Sequence, residues 1–123
     1  MTKLPALNKR TAPKSVMPEK IVQFGEGNFL RAFVDWIVWN MDAKTNFNGS
    51  VVVVQPIDKG MVSWLNGQDC LYHVNLQGRL NGEAVNQLDR IDVISRAIDP
   101  YSQHYAYQAL AEQPEIRFVI SNT

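Results

Sequence analysis

The chain has 123 residues, and its 12 Lys and Arg balance its 12 Asp and Glu to give a formal net charge of +0 at pH 7. Neutrality argues against the basic excess of a nucleic-acid module and against a polybasic membrane anchor. No apolar run exceeds the 4 residues of Val51-Val52-Val53-Val54, far short of the roughly 20 that a bilayer span needs.

A hydrophobic share of 46% with 10% aromatics is that of a globular chain, one that buries about two thirds of its unfolded surface. The single cysteine, Cys70, excludes an internal disulfide framework and leaves no structural zinc set. A reducing, cytoplasmic location is the expectation. The N-terminus has no apolar core of the kind a secretory signal carries.

Residues 1–18 hold Pro5, Pro13 and Pro18 among Lys, Asn and Thr and read as an extended leader. Ile21-Val22-Gln23-Phe24 is a short strand-type run that stops at Gly25-Glu26-Gly27. From Asn28 the apolar period becomes helical, with Phe29, Phe33, Trp36, Ile37 and Met41 on one stripe that predicts the buried face of a helix. The turn-rich Thr45-Asn46-Phe47-Asn48-Gly49 precedes Ser50-Val51-Val52-Val53-Val54, a strand apolar on both faces, as a parallel sheet covered on both sides requires.

Residues 58–65 allow a short helix. Asn81-Gly82 supplies the positive φ values of a type I′ turn and predicts an antiparallel hairpin between residues 71–80 and 83–98. Pro100 starts a helix over 101–112, Pro114 closes it, and Ile116-Arg117-Phe118-Val119-Ile120 is the last strand. The alternation predicts an α/β fold: a Rossmann-like, mainly parallel sheet with three parallel strands, forming the N-terminal half of a dinucleotide-binding domain, with a β-hairpin insertion. Residues 1–18 are then a leader and 19–123 a partial nucleotide-binding domain.

Gly25 and Gly27 fit the first two glycines of the dinucleotide fingerprint, and Leu30 takes the place of the third. Asn28 suits the helix cap, which leaves backbone N–H groups and the positive dipole end free for an anion. Arg31 opposes that dipole, and a bound pyrophosphate would reverse the sign; alternatively it reaches solvent or pairs with Glu26. Asp58 is the first carboxylate after the valine strand and either reaches an adenosine ribose, if its loop folds back, or caps the next helix.

His73 and His104 have no companions at metal spacing, and Cys70 has no neighbour that would lower its pKa, so it reads as a small buried hydrophobe. Trp36, Trp39 and Trp64 read as packing residues. Neither a catalytic constellation nor a metal site is expected.

The stretch Ile21-Val22-Gln23-Phe24-Gly25-Glu26-Gly27-Asn28-Phe29-Leu30-Arg31-Ala32-Phe33 resembles the N-terminal nucleotide-binding segment of the long-chain mannitol dehydrogenase family. The resemblance continues through Val51-Val52-Val53-Val54-Gln55-Pro56-Ile57-Asp58, Gln68-Asp69-Cys70-Leu71-Tyr72 and Arg117-Phe118-Val119-Ile120-Ser121-Asn122-Thr123. It implies NAD as cofactor, with Val22 to Phe33 as the binding segment and Gly25, Gly27, Asn28, Phe29 and Arg31 nearest the pyrophosphate. It moves Asp58 from cap to ribose contact and makes Ser121 and Asn122 nicotinamide-side residues.

Phe33 matches the branch that interconverts D-tagaturonate and D-altronate, so a small sugar-acid substrate is implied; mannitol, fructuronate or a polyol phosphate are the alternatives within the family. A non-catalytic nucleotide-binding module is the alternative outside it. Family members carry their catalytic Lys, Asn and His in a C-terminal domain, the partner expected in cis, so these 123 residues alone are expected to be inactive. One departure is Cys70, which stands where the family has glycine.

Overall fold

The computed structural model describes residues 5–122. Strand β1 (Glu19–Phe24) ends at the glycine turn, and a π turn (Leu30–Val34) leads into helix α1 (Asp35–Lys44). Strand β2 (Ser50–Val54) and helix α2 (Val62–Gly67) follow, then the hairpin β3 (Tyr72–Leu80) and β4 (Glu83–Ile91). Strand β5 (Ile94–Ile98), helix α3 (His104–Ala109) with a 3-10 turn (Leu110–Glu112), and β6 (Phe118–Ser121) complete the order.

The main sheet has strand order β5-β2-β1-β6, and all three of its pairings are parallel. That is the order of the first four strands of a Rossmann sheet. The valine strand behaves as its composition requires. Val51 and Val53 join the core beneath α1, α2 and the hairpin, while Val52 and Val54 join the core on the opposite face with Val22, Ile98 and Leu110. The hairpin also forms as predicted, with Asn81 at φ 53° and Gly82 at φ 83° and Leu80 opposite Glu83.

Several expectations are corrected. Residues 83–98 are not one hairpin arm: the ladder with β3 ends at Ile91, and after Asp92-Val93 the chain enters the main sheet as β5 beside β2. The parallel strands therefore number four, not three. Val93 O accepts from Val51 N at 2.9 Å, so the switch of partner is made by backbone pairing, which no glycine or proline in the sequence marks. Helix α2 begins at Val62, later than residue 58. Helix α3 begins at His104 because Asp99 first organises a turn, accepting from Tyr101 N at 3.0 Å and from Ser102 Oγ at 3.1 Å.

Part of the predicted helix stripe is turned outward: Phe29 and Phe33 are 60% and 53% exposed and Ile37 is exposed too, whereas Trp36 packs against the core and Met41 is half-buried. Leu30, Arg31, Asp35 and Val38 face inward instead. The reason is that polar residues here are buried in hydrogen-bonded pairs, a possibility that apolar periodicity does not register. The π turn, closed by Asp35 N donating to Leu30 O, adds its own change of phase.

Among residues 5–18 there is neither helix nor strand, yet the segment is tied down. Lys9 N donates to Asp69 Oδ2 at 2.9 Å and Ser15 N to Asp92 Oδ2 at 3.0 Å, at the amino-terminal end of the sheet. Residues 1–4 of the leader, and Thr123, lie outside the described residues. Cys70 is a core residue, its thiol pushed up to about 11 by burial, and it holds φ at +58°, a left-handed value that favours glycine.

Candidate nucleotide site

All four parallel strands end on one side of the sheet, since Phe24 lies opposite both Val54 and Ser121, and Val54 lies opposite Ile98. In open parallel sheets this carboxyl edge is where ligands bind. The glycine turn sits there, pinned by Gly25 N donating to Val54 O at 3.0 Å. Ser121 and Asn122 are exposed at the same edge, brought beside the turn by the β1–β6 pairing.

Each glycine has a separate task. Gly25 holds φ at +136°, and a Cβ there would stand 2.9 Å from Leu30 Cδ1. Leu30, which replaces the third fingerprint glycine, thus packs into the space that the first one leaves bare. A Cβ at Gly27 would meet nothing within 4 Å, so the fold does not need that glycine. The first helical hydrogen bond runs from Arg31 N to Gly27 O at 3.2 Å, which leaves the amides of Asn28, Phe29 and Leu30 outside the helical ladder at its positive end.

Asn28 does not cap the helix through the backbone: its Oδ1 accepts from Arg31 Nη2 at 2.6 Å. Arg31 neither reaches solvent nor meets the Glu26 carboxylate. It is buried, its Nε donates to the Glu26 main-chain carbonyl at 2.9 Å, and its guanidinium lies over the rings of Trp64 and Tyr72 at 5.4 and 5.2 Å. Tyr72 Oη donates to Arg31 O at 2.7 Å. The turn is therefore stapled from below by a buried cation that forms no ion pair among the described residues. Ala32 and Phe33 lie on the exposed side, away from this staple.

The cap role for Asp58 is not realised, because the α2 N-cap is Met61 and has no side-chain cap bond. Asp58 is exposed, in a loop whose Gly60 lies against the Glu26 side chain of the glycine turn. Beside this loop is a cleft of about 400 Å³ walled by Phe24, Pro56, Tyr101, His104 and Tyr107, a size in the range of small-ligand sites. A similar cavity at the opposite end of the sheet, under the leader, has Lys14 Nζ bonded to the Asp69 and Ser95 carbonyls.

Val22, Gln23 and Phe24 support the site from β1. Gln23 is fully buried; its Nε2 donates to Gly25 O at 3.0 Å and to Asp35 Oδ2 at 3.1 Å. Burial pushes the Asp35 carboxyl up to about 7, against the lowering influence of Gln23 and Arg31. Asp35, Tyr72 and Trp64 belong to the site but are not singled out by motif. The visible signal for the first was a glutamine inside the apolar run Ile21-Val22-Gln23-Phe24, which requires a buried partner.

The family model of the mannitol dehydrogenase Rossmann domain matches residues 19–121. Altronate oxidoreductase of Phocaeicola vulgatus is 71% identical over 118 residues, covering 96% of this chain and 25% of its own length. The same-named enzyme of Bacteroides thetaiotaomicron is 72% identical over 118 residues, with the same coverage. The chain thus spans about a quarter of the length of the curated relatives it matches. Among solved structures, Pseudomonas fluorescens mannitol 2-dehydrogenase, in ternary complex with NAD and D-mannitol, shares the fold with a TM-score of 0.77 at 22% identity, over 96% of this chain and 26% of that one. With a matching domain model over most of its length and a Rossmann strand order, the chain belongs to the mannitol dehydrogenase family.

Proposed function

We propose that these residues form the NAD-binding portion of an oxidoreductase that interconverts D-altronate and D-tagaturonate. The observation that carries the reading is the glycine turn at the carboxyl edge of the parallel sheet, with first-turn amides outside the helical ladder above a buried guanidinium that forms no ion pair among the described residues. The chain's residues fit the cofactor: Gly27 leaves open space where a Cβ would stand, and the amides of Asn28, Phe29 and Leu30 face the position a pyrophosphate would take. The guanidinium of Arg31 adds positive potential beneath it. The aromatic-walled cleft beside the Asp58 loop accepts the adenosine half, Asp58 accepts from the ribose hydroxyls, and Ser121 and Asn122 flank the nicotinamide half.

When bound, the nicotinamide supplies the hydride acceptor for a sugar-acid carbinol. Substrate binding and proton handling fall to a C-terminal domain in cis. The substrate assignment rests on the two altronate oxidoreductases above 70% identity.

Calorimetry tests the site directly. The chain is expected to bind NADH, and Asp58→Ala is expected to weaken NADH several-fold while leaving NADPH nearly unchanged, because only the ribose diol needs the carboxylate. Equal losses for the two nucleotides would remove Asp58 from the site. Mixed with NADH and tagaturonate, the 123 residues alone are expected to show no turnover; detectable oxidation of NADH would place catalytic groups within them.

A further inference from the structure

We propose that Gln23 and Asp35 form a neutral amide–acid pair that holds the Gly25 carbonyl and so positions the glycine turn for the dinucleotide. The inference rests on the nucleotide-binding reading above, and assigns Asp35 as a positioning residue that touches no ligand.

Gln23 and Asp35 are both 0% exposed. The amide of Gln23 uses its two hydrogens on Gly25 O and Asp35 Oδ2. Its orientation is fixed, because Gly25 O can only accept. What remains is an acceptor on each side chain, Gln23 Oε1 and Asp35 Oδ1, both buried without a hydrogen-bond partner. Two orphaned acceptors, on an amide and a carboxyl already joined by one hydrogen bond, lack a single proton. A proton on Asp35 Oδ1, donated to Gln23 Oε1, satisfies both and closes the pair. Ionised, the same carboxyl would leave buried charge unsatisfied, which is far more costly than a neutral acid.

The nearby Arg31 guanidinium favours the ionised carboxyl, and burial outweighs it. Arg31, one turn earlier, directs Nε to Glu26 O and Nη2 to Asn28 Oδ1, so among the described residues Asp35 has no ion pair. From the hairpin, Tyr72 donates its hydroxyl hydrogen to Arg31 O. A pyrophosphate at the turn would add negative potential, which favours the proton on Asp35. Dinucleotide binding therefore selects the protonated Asp35, and above the pH at which the free protein loses this proton, binding must take one up.

NADH titrations on the full chain at about pH 6 and about pH 8.5 test this, together with an infrared spectrum of the ligand-free protein. For the parent chain the dissociation constant is expected to rise about tenfold over that span, a single linked proton giving at most tenfold per pH unit. Asp35→Asn keeps a donor for Gln23 Oε1 and an acceptor for Nε2, so it is expected to hold the tight low-pH affinity at either pH. Gln23→Leu, which frees Gly25 O, is expected to bind weakly at either pH. The parent spectrum at about pH 6 should contain a protonated-carboxyl band that Asp35→Asn removes. A pH slope that survives in Asp35→Asn, or no such band, overturns the proposal. If the parent chain fails to bind NADH at either pH, the nucleotide reading falls with its positioning consequence, while the infrared band still decides whether the neutral pair exists.

Discussion

Replacing Gly27 by valine is expected to abolish measurable NADH binding, by about a hundredfold or more, while leaving the stability of the fold within about 1 kcal/mol of the parent. A Cβ at Gly27 meets no atom within 4 Å, so nothing in the protein resists the side chain. In the proposed site, the space it would fill is the one that a pyrophosphate needs to approach the first-turn amides. Gly25→Ala is the contrasting variant. Its φ of +136° belongs to a region that is essentially glycine-only, and Leu30 Cδ1 stands 2.9 Å from the new methyl. Backbone strain costs about 1–3 kcal/mol before the clash is added, so this variant loses stability first and binding with it. Thermal unfolding and calorimetry, read side by side, separate the two. Unimpaired NADH binding by Gly27→Val would remove the glycine turn from the site.

The second large effect is on stability. Asp35 holds its proton up to about 7 in the folded chain, against 3.8 for the free side chain. Between those values the native state binds one more proton than the unfolded state, so stability falls as pH rises, and the loss is complete above about 7. At about 1.4 kcal/mol per pH unit this amounts to an upper bound of about 4 kcal/mol. Asp35→Asn cannot ionise. Its unfolding free energy, relative to the parent, is expected to rise across the interval and to level off near pH 7, with little difference near pH 4. Urea unfolding of the two proteins across that range measures it, and parallel curves would show that Asp35 ionises normally in the fold.

These two effects bear on how the site is encoded. Gly25 and Gly27 look alike in the motif, and their position between a strand and a helix was legible. That the fold needs the first and leaves open space at the second was not, because the difference lies in what surrounds each Cα. Arg31 is similar. Its unfavourable place in a first helical turn was visible, and the Glu26 carbonyl and Asn28 are its local partners, but the rings of Trp64 and Tyr72 reach it only once α2 and the hairpin have packed. The Asp58 loop meets the glycine turn through the Glu26 side chain lying against Gly60, a contact that spacing does not reveal.

The sequence by itself determined the features that are local in the chain. These are the strand–glycine–helix unit, the two-faced valine strand, the Asn81-Gly82 hairpin turn and the α/β alternation, because each depends on φ preferences and on side chains within a few residues of one another. Only the tertiary structure decided that residues 83–98 divide between a hairpin and a fourth parallel strand, since a strand's partner is chosen by long-range backbone pairing. It also decided that the helix buries Arg31 and Asp35 and exposes Phe29 and Phe33. Burying a polar side chain is unfavourable in isolation and becomes acceptable only when the partner is supplied from elsewhere in the fold, as Gln23 supplies it to Asp35 and the Trp64 and Tyr72 rings to Arg31 here.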